Sequence, residues 1–364
     1  MKGNSAGLYI HVPFCERKCG YCSFYSIAGG VEYVGAWLEA LEREAGRYFR
    51  VEGGKIPLRT LYIGGGTPTV LSLPQWQELA GIICRYFDVS SLIEATCEAN
   101  PNSLTPEHMA FFRDNNFTRI SLGVQSLNDD ELLTLGRIHN SRQALRAMEL
   151  VKSCGLNLNC DLIFAIPGQT LRTWDYSLRC VMEHADHVSC YQLTLEPDTP
   201  MGRKFSGEDL NASGYKYYRY AQYVLPKHGF TQYEISNFAP SGHECRHNMS
   251  YWDHSDVIAL GPSAVSYVDG VRYSNPRTLR EYISGVEAES EELSPRERAI
   301  ELVILSLRTK WGVLRDGLMP EIEDAISQMP SDLFVITPER ISLSKRGMRL
   351  GNSVWSEIML YADC

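Results

Sequence analysis

The chain has 364 residues, 44% of them hydrophobic, enough to bury a full core in one large unit with room for a smaller one. Its formal charge of −9, from 35 Lys and Arg against 44 Asp and Glu, argues against nucleic acid or an anionic membrane as the main partner. No run approaches the ~20 apolar residues of a membrane span, and the start lacks a charged-then-apolar secretory pattern, so the expected location is cytoplasmic, with peripheral membrane association left open.

The first element is a strand through Leu8-Tyr9-Ile10, stopped by Pro13 and followed by Cys15, Cys19 and Cys22 at C-x3-C-x2-C spacing, with Gly20 free to bend the loop. Three thiolates this close can hold metal. Iron–sulfur clusters usually take four cysteines, so a trio without an adjacent fourth suggests a cubane with one iron open to an outside ligand. A structural zinc site is the competing reading, but it wants four closed ligands and usually C-x2-C pairs. The other cysteines (Cys84, Cys97, Cys154, Cys160, Cys180, Cys190 and Cys364) lie mostly among apolar or strand-like neighbours and read as core filler.

This loop resembles the signature of the radical SAM superfamily, and His11-Val12-Pro13-Phe14-Cys15 narrows the likeness to its oxygen-independent coproporphyrinogen III oxidase-like branch, and within it to the HemW group. The resemblance implies a [4Fe–4S] cluster on Cys15, Cys19 and Cys22 whose open iron binds S-adenosylmethionine, and an electron that splits it into methionine and a 5′-deoxyadenosyl radical. The oxidases of the branch carry a further cysteine, C-x3-C-x2-C-x-C. Here Phe24 stands at that position.

After the loop, Val34, Trp37, Leu38, Leu41 and Ala45 recur at helical spacing within 31–50. A second strand, Leu58 to Ile63, runs into Gly64-Gly65-Gly66-Thr67-Pro68-Thr69 and a helix near Leu73-Pro74. No Lys-Ser or Lys-Thr follows, so this is no P-loop; the glycines allow close approach to a ligand or simply make a turn. A third strand, Leu92 to Glu98, precedes Thr105-Pro106, the cap and first residue of a helix. Thr118 to Val124 forms the fourth strand, followed by a helix at Asp129 to Leu135 and another capped by Ser141 and stopped by Gly155. Leu156 to Phe164 and His187 to Leu195 are the fifth and sixth.

Six strands alternating with helices imply a parallel sheet with its ligands at the strands' carboxyl ends. The resemblance makes this α/β fold a partial (β/α)6 radical SAM barrel and aligns Tyr9, Tyr21, Gly65, Gly66, Thr67, Glu98, Gln125, Arg137 and Asp161 with positions that contact S-adenosylmethionine. Read from the residues, carboxylates and amides there suit ribose hydroxyls or an amino group, and Arg137 suits a carboxylate.

Tyr215, Tyr217, Tyr218, Tyr220 and Tyr223 follow on one helix; they could line a flat aromatic ligand but read more readily as half-buried packing. His247-Asn248-x-x-Tyr251-Trp252 matches the H-N-x-x-Y-W element of the haem-binding relatives. Cys245, His247 and Met249 offer three axial-ligand types, and two aromatic rings lie close by. A helix through Ala299, Leu302, Val303 and Leu307 then runs toward Gly312, and short elements plus a last helix through Met348, Val354, Trp355 and Ile358 resemble a winged-helix-like domain suited to a lid or docking role. The expected division is a barrel at 1–225, an extension carrying the haem motif at 226–290 and a small α+β domain at 291–364. The cofactors and partners expected from the resemblance are the cluster, S-adenosylmethionine, haem, haem-acceptor proteins and a flavodoxin- or ferredoxin-like electron donor. Radical decarboxylation of coproporphyrinogen, or another tetrapyrrole modification, is the competing function.

Overall fold

The structure, a computed structural model, describes residues 5–206 and 210–362. Six strands alternate with helices as the periodicity requires: β1 (Ala6–Val12), β2 (Ile56–Gly65), β3 (Glu94–Ala99), β4 (Arg119–Gln125), β5 (Asn157–Phe164) and β6 (His187–Gln192). All pair in parallel with their sequence neighbours, giving the partial (β/α)6 barrel. They are buried nearly throughout, as strands of a parallel sheet covered by helices must be.

A further strand, β7 (Val257–Leu260), pairs in parallel with β1, with Tyr9 beside Ala259. β1 therefore lies between β7 and β2 rather than at an edge. An antiparallel run, Val265–Val268, Val271–Ser274 and Glu289–Glu292, continues outward from β7. At the far edge Asn237–Ala239 pairs antiparallel with β6. Residues 226–290 thus add strands to both edges of the sheet.

The helices start where side chains can satisfy free backbone N–H groups. Thr105 accepts from the His108 N–H, as expected. Before helix Ser141–Ser153, however, Asn140 is the cap, in a reciprocal box with Gln143, and Ser141 is already helical. The helix Val34–Glu52 buries Trp37, Leu38, Leu41 and Ala45 against the sheet. In the tyrosine helix, Leu210–Val224, Tyr217 and Tyr218 are buried while Tyr215 and Tyr223 are exposed, which is packing. Cys97, Cys160 and Cys190 are core residues and the half-buried Cys154 and Cys180 pack against that core, but Cys84 is exposed, so the filler reading fails for Cys84. Cys364 lies outside the described residues.

The C-terminal unit has its own apolar cluster, with Val303, Leu307, Ile322, Phe334, Ile341 and Ile358. Its sheet has Arg340–Leu343 between Val313–Leu314 and Phe334–Ile336, all antiparallel. The helix from Pro295 ends at Leu307, before Gly312, and Thr309 then bridges to Glu234. The last helix is two, Lys345–Arg349 and Gly351–Ala362. Among the described residues no helix is long and apolar enough to cross a membrane.

Candidate functional site

At the carboxyl end of the strands lies a cavity of about 460 Å³. Its lining includes Cys15, Cys19, Cys22, Tyr21, Gly65, Gly66, Thr67, Glu98, Gln125, Arg137 and Asp161, so eleven residues scattered over 147 positions of sequence meet in one place. Tyr9, also expected here, is not in the lining, and His247, expected at a separate haem site, lies outside it as well.

The cysteine loop is tied down at several points. Phe14–Cys15 pairs with Ile27–Ala28, and the Gly20 N–H donates to the Leu135 carbonyl while the Met201 N–H donates to the Gly20 carbonyl. The glycine turn braces it: the Gly66 N–H donates to the Val12 carbonyl at 2.7 Å and the Thr67 N–H to the Phe14 carbonyl at 2.8 Å. A Cβ on Gly66 would stand 2.5 Å from the Phe14 oxygen, so only glycine permits this contact. The glycines therefore serve first to bring two strand ends together.

Two thiols are held by hydrogen-bond donors. Thr67 Oγ1 lies 3.5 Å from Cys15 Sγ, and Arg137 Nη1 3.3 Å from Cys19 Sγ. Between them stands Asn100, whose Nδ2 donates to Thr67 Oγ1 at 2.9 Å and whose Oδ1 accepts from Arg137 Nη2 at 2.6 Å. In the sequence Asn100 is marked only by its place just past the third strand. Burial pushes the Cys22 thiol pKa up.

Among the described residues no three His, Cys, Asp or Glu side chains are grouped to hold a single metal ion. Cys15, Cys19 and Cys22 share one loop and one cavity wall, and thiols are the donors that iron–sulfur clusters take. The donor set therefore fits an iron–sulfur group.

The polar wall offers complementary chemistry. Glu98 accepts from Tyr62 Oη at 2.8 Å and from the Gly65 N–H at 3.0 Å; burial raises its pKa to about 7 despite those bonds. Asp161 accepts from Ser121 Oγ at 2.9 Å and Asn159 Nδ2 at 2.8 Å, and burial raises its pKa as well. Two such carboxyls are primed for a cationic or hydroxyl-bearing ligand. Burial works against the Arg137 charge, but Tyr21 and Cys19 more than offset it, so the guanidinium stays charged at the cavity wall. Gln125 has φ of +64°, a strained setting for a non-glycine residue, where β4 and β5 slip register.

Tyr9 donates to or accepts from His11 Nδ1 at 3.0 Å, in the layer behind the cavity. His247 lies deeper, toward the amino ends of the strands. Its Nδ1 meets Thr60 Oγ1 at 2.9 Å, its Nε2 meets Tyr251 Oη at 3.2 Å, and its ring stacks on Tyr62. Burial drives its pKa down to about 3, so the ring is neutral with both nitrogens engaged. The helix it belongs to, Arg246–Trp252, starts on Glu94, which accepts from the Arg246 and His247 N–H groups at 2.9 and 3.0 Å.

Residues 9–181 match the radical SAM superfamily. The chain is 35% identical to the heme chaperone HemW of Lactococcus lactis, covering 99% of this chain and 98% of that protein. It is 32% identical to the heme chaperone HemW of Bacillus subtilis, over 96% and 98%. Among solved structures, the radical SAM enzyme coproporphyrinogen III oxidase (HemN) of Escherichia coli superposes with a TM-score of 0.85 at 20% identity, covering 97% of this chain and 90% of that one. At that identity the structural likeness speaks for the fold alone.

Proposed function

This chain belongs to the HemW family of radical SAM proteins, and from that premise we propose that it is a haem chaperone, binding haem and handing it to acceptor proteins. The observation that carries this reading is the near full-length likeness to proteins named for that activity. Phe24 supports it against the oxidase alternative: it stands in the cavity lining two residues past Cys22, is 70% exposed, and offers neither thiol nor proton.

In this reading Cys15, Cys19 and Cys22 hold a [4Fe–4S] cluster, and Glu98, Asp161, Gln125, Arg137 and the Gly65-Gly66-Thr67 backbone hold S-adenosylmethionine. When bound, the cluster supplies the open iron site and the electron on which S-adenosylmethionine chemistry depends. Glu98 faces an ammonium, Asp161 a hydroxyl and Arg137 a carboxylate, each by charge and hydrogen-bonding type. The electron comes from a flavodoxin- or ferredoxin-like donor.

The test is anaerobic reconstitution followed by hemin titration, transfer to an apo-haem protein, and product analysis on coproporphyrinogen III. Stoichiometric hemin binding with transfer and no decarboxylation is expected. Turnover without haem binding would promote the oxidase.

A further inference from the structure

Ser121, Asn159 and His187 stand side by side across β4, β5 and β6, and two residues further along the same face come Asp161 and Ser189. The register thus sets a buried polar row directly behind the carboxylate that lines the cavity. In a closed (β/α)8 barrel bulky apolar side chains fill such a layer. Here every member of the row is hydrogen-bonded instead.

The direction of these bonds is fixed at one end. The Cys245 N–H can only donate, and it does so to Tyr233 Oη at 3.1 Å, which leaves the Tyr233 proton for His187 Nε2 at 2.9 Å. Burial, with Arg119 and His243 nearby, holds the His187 ring neutral. With Nε2 accepting, Nδ1 carries the hydrogen and donates to Asn159 Oδ1 at 2.5 Å; Ser189 Oγ donates to the same oxygen at 3.1 Å. Asn159 therefore turns its amide nitrogen the other way, to Asp161 Oδ1 at 2.8 Å and Ser121 Oγ at 2.7 Å, and Ser121 donates in turn to Asp161 Oδ2 at 2.9 Å. The opposite His187 tautomer would set a bare Nδ1 against the Asn159 oxygen. An amide flip to relieve that would press the oxygen on the Asp161 carboxylate.

We propose that His187 is a positioning residue for S-adenosylmethionine: it orients Asn159 so that both Asp161 oxygens are held from behind and their remaining lone pairs face the ligand's hydroxyl. The inference rests on the reading that Asp161 contacts S-adenosylmethionine, and deepens it. Neither His187 nor Asn159 lines the cavity, so His187 acts through two other side chains. A carboxylate has about four lone-pair sites, and this arrangement fills two of them while fixing the plane of the rest.

Calorimetric titration of the reconstituted chain with S-adenosylmethionine tests this in a double-mutant cycle, with fold checked by circular dichroism and cluster content by iron and sulfide analysis. His187→Leu should weaken binding about tenfold, the scale of one hydrogen bond to a charged group. His187→Asn keeps a donor near the Nδ1 position and should stay within about threefold of the unaltered chain. In an Asp161→Ala background His187→Leu should cost nothing more, because its effect passes through that carboxylate. If His187→Leu does not fold, Tyr233→Phe takes its place in the cycle, removing only the hydroxyl that fixes the tautomer. Unchanged affinity in the folded variant, an equal loss in His187→Asn, or a full loss that persists without Asp161 would overturn the proposal. Asp161→Ala binding as tightly as the unaltered chain would overturn the contact reading beneath it as well.

Discussion

Asn100 and Arg137 meet at 2.6 Å, and this hydrogen bond joins the donor that reaches Cys15 to the donor that reaches Cys19. Donors to thiolate sulfur stabilise the reduced, more negative state of a cluster, and such outer contacts are among the levers that set its potential. Asn100→Ala should leave iron content intact and move the midpoint potential to a more negative value in an EPR-monitored redox titration. An unmoved potential would reduce Asn100 to packing.

Glu98 predicts two opposite pH trends. Burial raises its folded pKa to about 7, above the ordinary carboxylate range, so between that range and 7 the folded chain binds more protons than the unfolded one. Stability of the unloaded chain therefore falls as pH rises through that window, and Glu98→Gln should flatten the slope in denaturant titrations. Affinity for S-adenosylmethionine should move the other way, rising as pH passes about 7 and the carboxylate forms to meet an ammonium. Calorimetry showing no such rise in the unaltered chain would remove Glu98 from that contact.

The cysteine trio should act as one unit. Replacing Cys15, Cys19 and Cys22 together by Ala should abolish the cluster in iron and sulfide analysis and in Mössbauer spectra after anaerobic reconstitution. Retention of a full cluster would assign it elsewhere in the chain.

Coproporphyrinogen III should pass unchanged. With reductant and S-adenosylmethionine under anaerobic conditions, the reconstituted protein should form no protoporphyrinogen IX, because Phe24 replaces the further cysteine of the oxidases. Product detected by chromatography would refute this.

His247→Ala should destabilise the fold. It strips Thr60 and Tyr251 of a buried partner and leaves a cavity under Tyr62, together worth about 2–4 kcal/mol by unfolding titration. A change below about 0.5 kcal/mol, the range of ordinary surface substitutions, would mean that the ring does not anchor the helix.

Much of this was legible in the chain itself. Short apolar runs bounded by Gly, Pro and Asn marked the six strands, and polar residues at their ends converged on one cavity because a parallel barrel gathers its strand termini. β7 was not legible: Val257–Leu260 is a four-residue apolar run like many others, and nothing local names its distant partner. His247 was marked by its H-N-x-x-Y-W setting, but nothing local showed that Thr60 and Tyr251 would engage its two ring nitrogens. Ser141 reads as the cap because both residue types cap well, although Gln143, three residues past Asn140, already favours Asn140. Asn100 escaped because a side-chain amide at a strand end carries no signal until its two neighbours are known.

The seating of β1 between β2 and β7 also sets a timetable for biosynthesis. β1 pairs with β2 early, but its other edge waits for a strand synthesised about 250 residues later, roughly 12–50 s at ordinary translation rates. Throughout that interval a long apolar strand has one unpaired edge, open to illegitimate pairing with other nascent chains. The cysteine loop hangs from this same strand, so its final shape arrives late in synthesis. Metal delivery is then best matched to the finished chain, and truncations that remove Val257–Leu260 should yield aggregates rather than a smaller cluster-bearing barrel.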